Sequence, residues 1–97
     1  MRSEGEFNPK EEVAFVQMCQ NMLKGQNWKG LAIICASHLE KNHISSFHAY
    51  FYYGISMYKQ KDYITAIKAF EKAEVRNMDD AQLHYNLGLA YFKVGNY

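Results

Sequence analysis

The chain contains few of the residues that interrupt or cross-link a fold, with one proline and two cysteines among 97 residues. It is 48% hydrophobic and 22% charged, which is typical of a globular protein and not of a disordered one. This length suits one small domain with a modest core. We interpret Cys19 and Cys35 as reduced core residues in a cytoplasmic, reducing setting, with a disulfide between neighbouring helices as the alternative.

Long apolar runs and an excess of one charge are also missing. No stretch approaches the roughly 20 consecutive apolar residues of a membrane-spanning helix, and the N-terminus lacks the apolar core of a secretory signal. The formal net charge of +1 gives no electrostatic footprint for nucleic acid or for an acidic membrane surface. The sequence therefore predicts neither a nucleic-acid nor a membrane partner, unless basic segments lie elsewhere in a longer parent protein.

The sequence has no glycine-rich phosphate loop and no nucleophile elbow. Of its four histidines, His38, His43 and His48 lie five residues apart across a predicted turn, so they do not share one helical face as metal ligands would. Several acidic residues are interpreted as solvated helix faces: Glu11, Glu12, Glu71 and Glu74. We therefore predict no enzymatic activity, no metal and no cofactor.

Helical periodicity fills most of the chain. One apolar face is predicted on the first helix, made of Phe15, Met18, Cys19 and Met22. Capping residues, among them Asn8, Ser46, Asp62 and Asp80, mark the helix starts. The pattern predicts five helices over about 9–23, 28–39, 47–59, 63–76 and 81–94, which leaves no room for a sheet.

The second half of the chain repeats itself after 34 residues. Tyr53-Gly54 and Leu87-Gly88 lie at this distance, and each pair is followed by a similar turn ending in tyrosine. A fixed period of about 34 residues indicates a solenoid of stacked helix pairs, in which no repeat buries its apolar face alone.

Small and aromatic side chains recur within this repeat: Gly54, Ala66, Phe70, Ala73 and Gly88. They occupy signature positions of the tetratricopeptide repeat (TPR) family, which residues 47–97 resemble. This chain departs from the family's pattern at Met78, where the family usually has the proline that closes the repeat. The resemblance implies a right-handed α-solenoid of antiparallel helix hairpins, whose small residues let the helices approach closely.

We predict four segments on this basis. Residues 1–8 are a disordered leader or cloning remnant, and residues 9–46 form a degenerate TPR-like hairpin. Residues 47–80 form one TPR, and residues 81–97 supply the first helix of a further, truncated repeat. An unpaired last helix leaves an apolar flank open, so a second molecule covering it by self-association is the alternative to truncation.

The family's first helices line a concave groove that binds partner segments. The resemblance assigns to this groove His48, Phe51, Ile55, Tyr58, Gln82, Tyr85, Leu89 and Phe92. Asn86 matches the asparagine of a known carboxylate clamp for chaperone tails. Phe51 and Ile55 stand where that clamp needs lysine and asparagine, so chaperone-tail binding is not expected.

The resulting prediction is a non-catalytic module or scaffold that binds a protein or peptide through an apolar and aromatic groove. Two alternatives stay open at this point. One is a regulatory TPR segment of an enzyme whose catalytic domain lies outside these residues. The other is a helical-repeat protein that binds nucleic acid, which would need a basic concave face.

Overall fold

A computed structural model describes residues 8–41 and 46–95, and within these ranges the chain is α-helical without a strand. The helices are α1 (Pro9–Lys24), α2 (Trp28–Glu40), α3 (Phe47–Lys59), α4 (Tyr63–Arg76) and α5 (Ala81–Lys93). The all-α prediction is confirmed. The predicted bounds of α3 and α4 agree with the structure, and the second helix, predicted over about 28–39, extends to Glu40.

Each helix begins at a side chain that accepts a backbone N–H of the first turn. Such an acceptor satisfies one of the N–H groups that have no partner inside the helix. The capping residues are Asn8, Asn27, Ser46, Asp62 and Asp80. The Asp80 carboxylate, for example, accepts the N–H of Leu83 at 2.8 Å. These local signals explain why the helix starts could be predicted from the sequence.

The helices pack in chain order, each against the next, and the contact between α3 and α4 is the most extensive. The α3 and α5 helices also touch. One continuous core runs through the described part of the chain. Its buried apolar residues are Phe15, Cys19, Leu31, Cys35, Ala49, Phe51, Tyr52, Ala66, Ile67, Phe70, Ala73, Leu83, Leu87 and Ala90.

Close packing between α3 and α4 depends on Gly54. A Cβ added at this glycine would lie 2.5 Å from Cε1 of Phe70, which is closer than two non-bonded carbon atoms can approach. Phe70, Ala66 and Ala73 have no exposed surface. Small residues beside a large ring therefore set the distance between the two helices, as the pattern predicts.

Gly88 differs from its counterpart in the preceding repeat. It is exposed, and a Cβ added there would meet no atom within 4 Å. The expected close approach of a helix at Gly88 is therefore not found within the described residues, because no helix packs on that side of α5. Self-association through this side stays a prediction.

The buried face of α1 contains three of the four predicted residues, since Phe15 and Cys19 are buried and Met22 packs against the core, and it departs from the prediction at Met18. Met18 is 48% exposed, whereas Glu12, Phe15 and Cys19 are buried. These three residues follow an i, i+3, i+7 spacing and so lie on one side of the helix. The helix is rotated so that a carboxylate, and not Met18, enters the protein.

Cys19 of α1 and Cys35 of α2 are free, fully buried thiols in the contact between the two helices. A hydrogen bond from one thiol to the other, together with burial, raises the pKa of Cys35 well above its ordinary value. A thiol in this state is an inert packing group, because the thiolate is the reactive form.

Among the described helices, none is both long and apolar enough to cross a membrane.

Candidate partner-binding surface

The α5 helix exposes two large aromatic side chains. Tyr85 is 69% exposed and Phe92 is 64% exposed. Because they are seven residues apart, they lie on the same side of the helix. Leu89 lies half-buried between them, and Gln82 is exposed one turn earlier. This part of the predicted groove is therefore open to solvent and apolar.

Asn86, the residue that matches the clamp asparagine, is turned back on its own helix. It is half-buried, and its Nδ2 donates to the backbone oxygen of Gln82 at 2.8 Å. A side chain in this position adds a polar group to the rim of the α5 surface.

The corresponding residues of α3 are less accessible. Phe51 is only 6% exposed, and its ring lies 5.6 Å from the ring of Phe47 and 6.2 Å from that of Phe70. The structure thus places Phe51 in the core, although the family position assigned it to the groove. Tyr58 is half-buried and packs edge-on against Tyr63, with 5.2 Å between ring centres. Ile55 is half-buried as well.

A buried carboxylate of α1, that of Glu12, lies beside the N-terminal end of α3. Glu12 is 7% exposed, and the interpretation of this residue as part of a solvated face was wrong. Ser46 Oγ donates to Glu12 Oε2 at 2.6 Å, and His48 Nδ1 lies 2.9 Å from the same oxygen. His38 Nε2 lies 3.1 Å from Oε1. One carboxylate on α1 therefore joins α2 and the start of α3.

The hydrogen bonds keep this carboxylate ionised. Burial raises the pKa of Glu12, but hydrogen bonds from His48, Ser46 and His38 outweigh that effect and lower the pKa from 4.5 to about 2. An ionised carboxylate only accepts hydrogen bonds, so both imidazoles must donate at the bonded nitrogen. His48 therefore carries a proton on Nδ1, and His38 carries one on Nε2.

Two of the three spaced histidines meet although they lie on different helices. As expected, they do not share one helical face, but Glu12 brings His38 of α2 and His48 of α3 to the two oxygens of one carboxylate. The His38 ring also stacks on Phe15 at 3.8 Å. His43 lies outside the described residues, and the described ones contain no group of three potential ligands placed to hold a metal.

An open cleft of about 250 Å³ lies beside this cluster, between α1 and α3. It is lined by Glu12, Val13, Val16, Gln17 and His48. Sequence reasoning missed the α1 side of this cleft. The i, i+3, i+7 spacing of Glu12, Phe15 and Cys19 was the available signal, because it places an acidic residue on the apolar face.

Comparison with known proteins identifies the second half of the chain. Residues 49–95 match a family model described as TPR repeat. These residues form a tetratricopeptide repeat segment. The match covers nearly all of α3 together with α4 and α5, and it confirms the suspected resemblance there. No curated protein and no solved structure matches the chain. TPR segments generally mediate protein–protein interactions, and stacked repeats present extended binding surfaces.

Proposed function

We propose that this TPR segment is a non-catalytic interaction module that binds a partner protein through the face shared by α3 and α5. The exposure of Tyr85 and Phe92 supports this proposal most directly. Aromatic residues supply much of the affinity in protein interfaces, since they bury a large area at a small cost in side-chain entropy. Two such residues on one rigid helix form a suitable anchor for an extended or helical segment of a partner.

The burial of Phe51 narrows the proposed surface. We propose that the partner contacts the accessible members of the predicted set: His48, Ile55, Tyr58, Gln82, Tyr85, Asn86, Leu89 and Phe92. The surface then extends from an open aromatic end on α5 to a polar end at His48. A cytoplasmic, reducing location is part of the proposal, because the two buried thiols fit a protein that works without disulfides.

The proposal is tested by comparative affinity capture from cell lysate, followed by quantitative mass spectrometry. The bait is the 97-residue chain, as wild type or with Tyr85→Ala and Phe92→Ala together. We expect proteins retained by the wild type to be lost from the double variant, because both anchors are removed. Circular dichroism and thermal unfolding should be unchanged, since both side chains are mostly exposed.

A matched control removes exposed apolar side chains elsewhere. Val75 is 79% exposed and Met78 is 68% exposed, at the end of α4 and in the following turn. The variant with Val75→Ala and Met78→Ala should retain the same proteins as the wild type. Equal retention by all three baits would show that the α5 aromatics do not form the binding surface.

A further inference from the structure

We propose that the outer face of α5 pairs with the same face of a second copy of this chain, with the two helices antiparallel and Tyr85 of each copy lying over Gly88 of the other. The outer face consists of four residues: Ala81, Tyr85, Gly88 and Phe92. This inference rests on the proposed function in one respect, because Tyr85 and Phe92 serve both the partner and the second copy. The dimer keeps these two rings covered until a partner displaces the second copy.

The outer face is directed away from the rest of the protein. Its residues are spaced by four, three and four positions, which keeps them on one side of the helix. The opposite side of α5 carries its buried residues: Leu83, Leu87 and Ala90. Tyr85 is 69% exposed and Phe92 is 64% exposed, and Ala81 and Gly88 are exposed as well. A helix of a second molecule therefore reaches this face without any change in the core.

Small and large side chains alternate along the outer face. When two copies pair in antiparallel fashion about a two-fold axis between positions 86 and 87, position 85 lies opposite position 88, and position 81 lies opposite position 92. Each ring of one copy then faces a small residue of the other, so that the facing side chains interdigitate. Such self-complementarity is what a two-fold dimer requires. A parallel pair in register would instead place ring against ring.

The contact between α3 and α4 provides an example of a ring over a glycine in this protein. The ring of Phe70 fills the space beside Gly54, where an added Cβ would lie 2.5 Å from Cε1 of the ring. Small residues lie four positions before Phe70 and three positions after it: Ala66 and Ala73. Tyr85 has small residues at the same two distances. The outer face of α5 therefore carries both parts of this contact, the ring and the glycine.

Charges at the ends of α5 favour the antiparallel arrangement. Lys93 ends the helix, and Asp79 and Asp80 precede its first residue. Position 93 lies opposite position 80 in the proposed pair, so Lys93 of each copy approaches the two aspartates of the other. The ion pairs among the described residues involve neither Lys93 nor Asp79. The outer face itself contains no charge that would have to be desolvated.

The size of the outer face predicts a reversible dimer. An aromatic side chain buries about 150–250 Å² in total, and the four rings of the dimer are already partly buried in the separate copies. The rings therefore contribute less than the roughly 1,000 Å² that a specific interface needs, and the flanking residues Gln82 and Leu89 add the remainder. A partner that binds the same rings displaces a contact of this size.

The test is sedimentation velocity of the 97-residue chain at concentrations from about 5 to about 500 μM, a range that covers weak association. We expect the weight-average mass to rise from that of a monomer toward that of a dimer. Growth beyond the dimer would contradict the proposal, because a two-fold interface is closed after two copies.

The variant Gly88→Leu decides whether the outer face forms the interface. Leucine occupies the space that Tyr85 of the second copy needs, whereas a Cβ at position 88 meets no atom within 4 Å in the separate chain. Because leucine also favours a helix, circular dichroism should stay unchanged. We expect the dissociation constant of the dimer to rise by at least about tenfold.

The control Val75→Ala, Met78→Ala removes exposed apolar side chains outside α5 and should leave the dissociation constant unchanged. Dimerisation that Gly88→Leu does not weaken, or that this control weakens equally, would overturn the proposal.

An exchange of charges tests the antiparallel arrangement. Lys93→Glu and Asp79→Lys should each weaken the dimer severalfold at low ionic strength, because each places like charges together. The two changes combined in one chain should restore the affinity, since they recreate opposite charges at both ends. Failure of the combined variant to recover would contradict the arrangement.

The outcomes separate this inference from the proposed function. A chain that stays monomeric at every concentration overturns the inference alone, and loss of captured proteins from the Tyr85→Ala, Phe92→Ala bait would then assign the outer face to a different protein. Dimerisation of the wild type, together with equal capture by all three baits, overturns the proposed function alone.

Discussion

Glu12 is the residue at which three helices meet, and its ionisation contributes to their assembly. The pKa of Glu12 is lowered in the folded protein, since hydrogen bonds from His48, Ser46 and His38 outweigh the opposing effect of burial. A carboxylate with a lowered pKa stabilises the fold at pH values above its ordinary pKa of 4.5. That stabilisation is lost as the pH falls from 4.5 to about 2.

We expect Glu12→Gln to lower the free energy of unfolding by about 1–3 kcal/mol at neutral pH, because an ionised acceptor with three donors is replaced by a neutral amide. Urea unfolding of both proteins at a series of pH values measures this difference. The difference should shrink as the pH falls below 4.5, where the wild type begins to lose its own stabilisation. A difference that stays constant down to about pH 2 would contradict the lowered pKa.

At the scale of elements, α3 and α5 have similar sequences and different surroundings. The glycine of α3 is buried against Phe70, whereas the equivalent Gly88 of α5 is exposed with free space around it. The same contrast holds for Phe51 in the core and Tyr85 at the surface. Packing on α4 accounts for the difference, because α4 covers α3 on the side that α5 leaves open.

This contrast predicts opposite effects of one substitution at equivalent positions. Gly54→Ala should lower the free energy of unfolding by about 1–3 kcal/mol, because the new methyl group overlaps the ring of Phe70. Gly88→Ala should raise it by about 0.5–1 kcal/mol, since alanine favours the helix and meets no neighbour. Chemical denaturation of the two variants measures both effects. Equal destabilisation would mean that Gly88 is packed against another helix.

Local signals account for what could be predicted about these elements. Capping residues such as Asp62 and Asp80 and the 34-residue period gave the bounds of α3 to α5 closely. The environment of Glu12 could not be found in this way, because Ser46 and His48 lie 34 and 36 residues away in the chain. Phe51 was assigned to the groove by its family position, but its burial depends on ring contacts that only the folded helix pair determines.

At the scale of the whole molecule, stability comes from contacts between helices that follow one another in the chain. A fold of this kind holds its surface side chains in fixed relative positions. The exposed rings of Tyr85 and Phe92 are thus held in fixed positions on α5. The central proposal is that a protein partner binds there.

Site-specific photo-cross-linking in cells tests that claim most directly. A photo-reactive phenylalanine analogue is placed at position 85 or 92, and at position 75 as the control, since Val75 is more exposed than either residue but lies on α4, outside the proposed binding surface. We expect cross-linked products with a discrete partner from positions 85 and 92 and none from position 75. Products from position 75 alone, or the same products from all three positions, would contradict it.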